Sequence, residues 1–343
     1  MDEVLIRIEG RAGRITLNRP AALNALTPGM ALAMDAALIG WAHDPAVALV
    51  LIDGAGPRAF CAGGDIAKVY AEGITGEAGM ARDFWRDEYR MNLRLAEYPK
   101  PVVSLMHGFI MGGGVGVGCH GHPRVVGETA QVAMPECGIG LIPDVGGTYL
   151  LARAPGHLGD YLGLTGTRMG PGDAILAGFA DLFVPEADWP ALVATLCTTD
   201  DVGAVTAAAQ TAPDSKLAAL LPEIERLFAI ETVESIRAAL ESTGSAFAAE
   251  TLKVIARNSP LSMACTLAMI RSQRAAPDLR RALEAEYRFT YRAVHQTDFL
   301  EGVRAAVIDK DRKPRWRLTA PSPDTVAALL APLGPDTLTF PET

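Results

Sequence analysis

Between Pro101 and Gly121 the chain carries no charged residue. A run of that length could cross a bilayer as a helix. Its composition argues otherwise: seven of the twenty residues from 102 to 121 are glycine, and His107 and His120 lie among them. Glycine is a poor helix interior. Residues 102–106, Val-Val-Ser-Leu-Met, read instead as a buried strand, with a proline before and His-Gly after. Gly112, Gly113 and Gly114 follow a few residues later. Three residues without Cβ let the backbone approach a ligand closely. A helix opening there would aim unpaired N–H groups at that ligand. Downstream, Glu136 in Met-Pro-Glu-Cys and Asp144 in Ile-Pro-Asp-Val-Gly-Gly are isolated acids in apolar surroundings. N–H donors beside two carboxyl groups are the equipment for acyl chemistry at a carbonyl.

The same unit appears earlier. A hairpin is predicted at residues 4–9 and 14–18 around Gly10–Gly13, and Thr27 with Pro28 opens a helix to about residue 43. A strand at 47–52 is followed by Phe60-Cys61-Ala62-Gly63-Gly64-Asp65, a second glycine turn, and a helix at 80–97. Strand, glycine turn and helix in succession point to an α/β fold with ligand contacts from both turns. From about residue 190 the pattern turns Ala/Leu-rich and helical, and the last stretch carries five prolines. We therefore expect an α/β core over 1–190, a helical region over 191–318 that covers it, and an extended Pro-rich tail over 319–343.

Several chemistries lack their signatures. There is no Walker A sequence and no Gly-x-Ser-x-Gly elbow, and within residues 112–118 the glycines fit the dinucleotide fingerprint in no register. Cys119-His120-Gly121-His122 fits no standard metal spacing, so no metal is expected; its histidines read as cations at a helix C-terminus. A net charge of −9 without a basic run argues against nucleic acid. Five scattered cysteines and an acidic start without an apolar leader point to the cytoplasm, away from secretion and membranes.

Motifs spread over most of the chain resemble the crotonase (enoyl-CoA hydratase/isomerase) superfamily. They are Ile15-Thr16-Leu17-Asn18-Arg19-Pro20 with Asn24-Ala25-Leu26, Ala59-Phe60-Cys61-Ala62-Gly63-Gly64-Asp65, His107-Gly108 with Gly112-Gly113-Gly114, and Met134-Pro135-Glu136. Further motifs are similar to the superfamily's β-hydroxyacyl-CoA hydrolase branch: Arg86-Asp87-Glu88-Tyr89, Gly114-Val115-Gly116, the run from Leu141 to Gly147, Ser245-Ala246-Phe247-Ala248, the run from Glu301 to Ala305, the run from Ile308 to Asp311, and Trp316.

The resemblance implies a crotonase-like ββα spiral core and a CoA-thioester site. Ala62 and Gly113 would supply the N–H groups of an oxyanion hole, Glu136 and Asp144 would be the catalytic acids, and Glu88 would line the acyl pocket. Gly113, Glu88, Glu136 and Asp144 would together bind the substrate. Hydratases of the superfamily carry a second catalytic glutamate two residues after the glycine triplet, where this chain has Gly116. They carry a small residue where Asp144 stands. The implied activity is hydrolysis of a short β-hydroxyacyl-CoA, 3-hydroxyisobutyryl-CoA above all, in valine degradation. CoA would be part of the substrate, with no cofactor, and a homo-oligomer is compatible. Two alternatives are an enoyl-CoA hydratase/isomerase and a non-catalytic acyl-CoA-binding protein.

Overall fold

The computed structural model describes residues 2–341. Its first half runs β1 (Val4–Glu9), β2 (Ala12–Leu17), α1 (Pro28–Ala42), β3 (Leu49–Gly54), β4 (Ala59–Cys61), α2 (Ile66–Gly73), α3 (Gly79–Ala96), β5 (Val102–Met106), β6 (Phe109–Met111), α4 (Gly113–Gly118), β7 (Arg124–Val126) and β8 (Gln131–Ala133). There follow α5 (Gly147–Arg153), α6 (Leu158–Thr165), α7 (Pro171–Leu176), β9 (Leu182–Phe183), α8 (Trp189–Thr199), α9 (Gly203–Ala208), α10 (Leu221–Phe228), α11 (Val233–Thr243), α12 (Ala246–Ile255), α13 (Pro260–Arg274), α14 (Leu279–Gln296), α15 (Phe299–Val303) and α16 (Pro323–Leu330). The predicted hairpin is the antiparallel pair β1–β2. Thr27 caps α1, its hydroxyl accepting from the Met30 N–H.

The strands form two sheets. Six lie in the order β1-β2-β3-β5-β7-β9, all parallel beyond the hairpin. Side chains alternate between the faces of a strand, and here both faces are buried. On β3, Val50 and Ile52 enter the main core, while Leu49 and Leu51 pack with Leu192, Leu196 and Val205 of α8 and α9. Continuous apolar strands such as Leu-Val-Leu-Ile are the signature of a sheet covered on both sides. The second sheet is the parallel trio β4-β6-β8. Its register sets Cys61 beside Ile110 and Met111 beside Ala133, so the three strands end at one edge. The chain leaves that edge as the Ala62-Gly63-Gly64 turn, as Gly112 and α4, and as Met134-Pro135-Glu136.

Helices from the C-terminal half close around this edge. α13 packs on α5, α14 on α3, and α15 on α2. No helix among the described residues is long and apolar enough to cross a membrane.

The C-terminal end departs from expectation. In place of an extended tail, α16 opens with Ser322 as N-cap and packs on α13 and α14. Its Leu329 and the later Leu338 are buried in the main core. Pro323 occupies the first helical position, where a missing N–H costs nothing, so a proline that reads as a breaker is a start signal. Leu329→Ala should therefore lower stability by about 2–4 kcal/mol, read from the denaturant midpoint. A loss below about 0.5 kcal/mol, typical of an exposed site, would mean that α16 is not packed.

Candidate active site

The carboxyl ends of parallel strands are where α/β folds gather ligands, and the trio β4-β6-β8 follows that rule. Gly112, just after β6, has φ +48°, a region open to glycine. A Cβ there would lie 2.8 Å from Glu136 Oε1. Gly113 is the first residue of α4, so its N–H has no carbonyl one turn back. A Cβ on Gly113 would meet Glu88 Oε1 at 2.7 Å and the Gly64 nitrogen at 3.4 Å. Two backbone amides and two carboxyl groups therefore meet in one small space. It is a cavity of ≈ 100 Å³ lined by Gly64, Gly113, Glu88, Glu136 and Asp144, with Trp85, Phe84 and Leu141 as apolar walls.

One expected donor is displaced. The Ala62 N–H donates to Leu23 O at 3.0 Å, so it is already used within the fold. Gly64, two residues on, faces Gly113, and its N–H has no backbone acceptor among the described residues. The two amides that face each other at this cavity are those of Gly64 and Gly113.

The acids sit where burial is nearly complete: Glu88 is 3%, Asp144 4% and Glu136 5% exposed. No salt bridge reaches any of them among the described residues. Desolvation disfavours the charged form. It raises the carboxyls of Glu88 and Glu136 well above their ordinary range, and the charge of nearby Asp144 raises both further. Asp144 is itself pushed up by burial to about 7. Its rise is smaller because the Tyr89 hydroxyl donates to Oδ2 at 2.8 Å and a backbone N–H also favours the charged form. Burial thus favours the protonated form of all three, and at Asp144 the Tyr89 hydroxyl opposes it. Glu88 Oε1 and Glu136 Oε2 are buried and have no hydrogen-bond partner among the described residues.

Gly116 lies one turn further along α4. A Cβ there would fall 2.8 Å from both Asn92 Nδ2 and Val145 Cβ. A longer side chain has no space at this position.

Two residues to which the sequence assigned no role belong to the site's frame. Tyr89, fully buried on α3, holds Asp144. Glu286 on α14, 0% exposed, accepts from the N–H groups of Gly146 and Thr148 at 2.7 and 2.9 Å and from the Thr148 hydroxyl. Burial raises the Glu286 carboxyl to about 8. A signal existed: Glu286 falls on the helical stripe of Ala282, Leu283, Phe289, Thr290 and Ala293, all buried.

His120 corrects another expectation. It is no cation at a helix end: loss of solvent lowers it to about 4, and its Nε2 lies 2.7 Å from Val145 O as the donor of a neutral ring. His122 is exposed and lies beside Asp181. The dinucleotide spacing does occur at Gly116, Gly118 and Gly121, but it runs through α4 and out of its end instead of opening a helix. A Cβ at Gly118 would strike Met106 and Phe60, so that glycine serves packing.

The raised Asp144 has a consequence for stability. In the unfolded chain the carboxyl keeps its ordinary value of 3.8; folded, it rises to about 7. Between these values the folded state holds more proton, so stability falls as pH rises from about 4 to 7. Asp144→Asn removes that loss while leaving an acceptor for Tyr89. The variant should melt above the wild type at pH 8, and the gap should close towards pH 4. A gap independent of pH would show that Asp144 is not raised.

Comparison with known proteins agrees with this fold. The sequence model of the enoyl-CoA hydratase/isomerase family matches residues 12–328. A mitochondrial 3-hydroxyisobutyryl-CoA hydrolase of Xenopus tropicalis is 43% identical over 92% of this chain and 84% of its own. The human protein of the same name is 41% identical, again over 92% of this chain and 84% of its own. Among solved structures, an enoyl-CoA hydratase from Rhodobacter sphaeroides superposes with a TM-score of 0.95 at 60% identity, covering 99% of this chain and 100% of that one. A carnitinyl-CoA dehydratase from Mycobacterium thermoresistibile gives 0.94 at 42%, covering 99% of both. The chain belongs to the enoyl-CoA hydratase/isomerase family.

Proposed function

We propose that this protein hydrolyses a short β-hydroxyacyl-CoA, 3-hydroxyisobutyryl-CoA first of all, releasing the hydroxy acid and CoA. The hydrolases just named, each more than 40% identical, support the substrate. The observation that carries the reaction type is the closed space at Gly116. A hydratase of this family needs a second glutamate there, and Asn92 and Val145 leave no room for one. Asp144 supplies a different carboxyl on another loop. The names of the two similar structures favour water addition or removal at a double bond as the second reading; the blocked position counts against it.

In this reading the thioester oxygen sits between the N–H groups of Gly64 and Gly113. Such donors typically stabilise the developing oxyanion by about 3–4 kcal/mol each. Hydrolysis also needs one group that takes a proton and one that gives a proton to the departing thiolate. Asp144, whose charged form the Tyr89 hydroxyl favours, suits the former, and Glu136, whose burial favours the protonated form, suits the latter. A Glu136 that passes its proton to Asp144 becomes a nucleophile instead, forming an anhydride that water resolves. Single turnover in ¹⁸O-water separates the routes, because only the anhydride carries label into Glu136. Glu88, with a free oxygen in the cavity, would accept the substrate's β-hydroxyl or donate to it. CoA enters as part of the substrate, and the reading calls for no other cofactor. All five cysteines are free and buried, which fits a reducing compartment such as the cytoplasm, and valine degradation is the route that the substrate implies.

Two measurements test this. Glu136→Gln keeps shape but can neither attack nor exchange a proton, so thiol release should fall at least about 100-fold, with KM within a few-fold. Retention of more than about a tenth of kcat, a loss under about 1.4 kcal/mol, would remove Glu136 from the chemistry. The second measurement is selectivity. A plain acyl chain leaves a buried carboxyl unpaired, so kcat/KM for 3-hydroxyisobutyryl-CoA should exceed that for isobutyryl-CoA by about ten- to a hundredfold. Equal turnover would leave a generic thioesterase, and rapid hydration of crotonyl-CoA would establish the second reading.

A further inference from the structure

The loop that carries Asp144 is held in an unfavourable backbone conformation. Val145 has φ +53°, a region that a β-branched residue enters only when its surroundings force it there. Gly146 follows at φ +80°. Two sides of the loop supply the force. On one, His120 binds Val145 O. On the other, α14 presents Glu286, whose Oε2 accepts from Gly146 N and whose Oε1 accepts from Thr148 N and Oγ1. Leu279, at the start of α14, lies against Gly146.

A carboxyl group keeps an acceptor lone pair on each of its two oxygens, with or without its proton, whereas the NH₂ of an amide accepts nothing. The two backbone N–H groups fall on different oxygens of Glu286, so a glutamine could serve only one and would set its NH₂ against the other. The same helix also braces the second support of Asp144: the ring of Tyr287 packs edge-on against Tyr89 at a centroid distance of 6.2 Å. The hydrogen bonds span about 140 positions of sequence, from loop to C-terminal helix.

We infer that Glu286 is a positioning residue for catalysis: by accepting from Gly146 and Thr148 it fixes the strained loop that aims Asp144 at the thioester. The inference rests on the hydrolase reading above. Glu286 does not line the cavity and need not touch substrate. The groups that face this region are Asp144, Glu136, Thr148, Tyr89 and His120, and the loop geometry reaches the chemistry through the first of them.

The test compares Glu286→Gln with Leu283→Ala, which removes buried packing one turn earlier on α14 and touches no loop donor. Thioester hydrolysis, the melt and the pH profile of kcat are measured for both on the full chain. Misplacing a catalytic group by about 1 Å can cost a hundredfold, so Glu286→Gln should lower kcat about ten- to a hundredfold. KM should stay within about twofold, since substrate contacts remain, and the acidic limb of the pH profile should move. Leu283→Ala should lower the melt and leave kcat and the limb as in the wild type below its transition. The inference is overturned if Glu286→Gln keeps wild-type kcat, or if both variants lose kcat alike with an unmoved limb. Should Glu286→Gln fail to fold, Thr148→Val removes one of the three donors with little change of shape; a several-fold fall in kcat supports the inference, and unchanged kcat sinks it. A wild type that releases no thiol from any β-hydroxyacyl-CoA refutes the hydrolase reading instead, so the two failures are distinct.

Discussion

Burial of carboxyl groups without counter-ions is the constraint on which this site depends. Glu88, Glu136, Asp144 and Glu286 all lie in the interior, and burial raises every one of them. A cation would settle their charge, but it would also lower them all and leave no group able to hold a proton near neutral pH. Hydrogen bonds make the distinctions instead. Asp144 receives the Tyr89 hydroxyl, which favours its charged form, whereas Glu88 and Glu136 each keep an oxygen without a partner among the described residues. Groups of one type are thus given different surroundings, which is how a fold separates an acid from a base.

The fold makes this possible by sharing the work among distant segments. The trio β4-β6-β8 supplies two glycine turns and Glu136 at one edge, each from the end of a short strand. That part was legible in the sequence, because glycine triplets and isolated acids are local signals. Asp144 was legible for the same reason. Which N–H of the first glycine turn stays free was not. The answer depends on Leu23 O, which engages Ala62 and leaves Gly64 facing Gly113. No pattern within Ala62-Gly63-Gly64 reveals a tertiary acceptor, and the displaced donor follows from that.

Glu286 shows the same limit from the other side. Its place on the apolar stripe of α14 marked it as buried, but its partners lie on a loop about 140 residues earlier. Proline-rich composition hid α16 as well, since Pro323 begins a helix where a run of prolines suggests an extended chain. Composition reports average tendencies. Position within a helix decides whether a proline breaks it or starts it.

The family's two chemistries can be compared through one contact. At Gly116 the helix α4 approaches α3 and the Asp144 loop so closely that a Cβ would touch both Asn92 and Val145. The strained Val145 lies in the path of any longer side chain at position 116. Its φ of +53° belongs to the same short turn that delivers Asp144. The loop geometry that removes one acid therefore supplies the other, and a simple Gly116→Glu exchange cannot restore hydration without displacing Val145. Displacing Val145 would move Asp144 and loosen the contacts of His120 and Glu286 with the loop. On the hydrolase reading, the conformation of this loop, bonded to Glu286 of α14, matters to the reaction as much as the identity of any single residue.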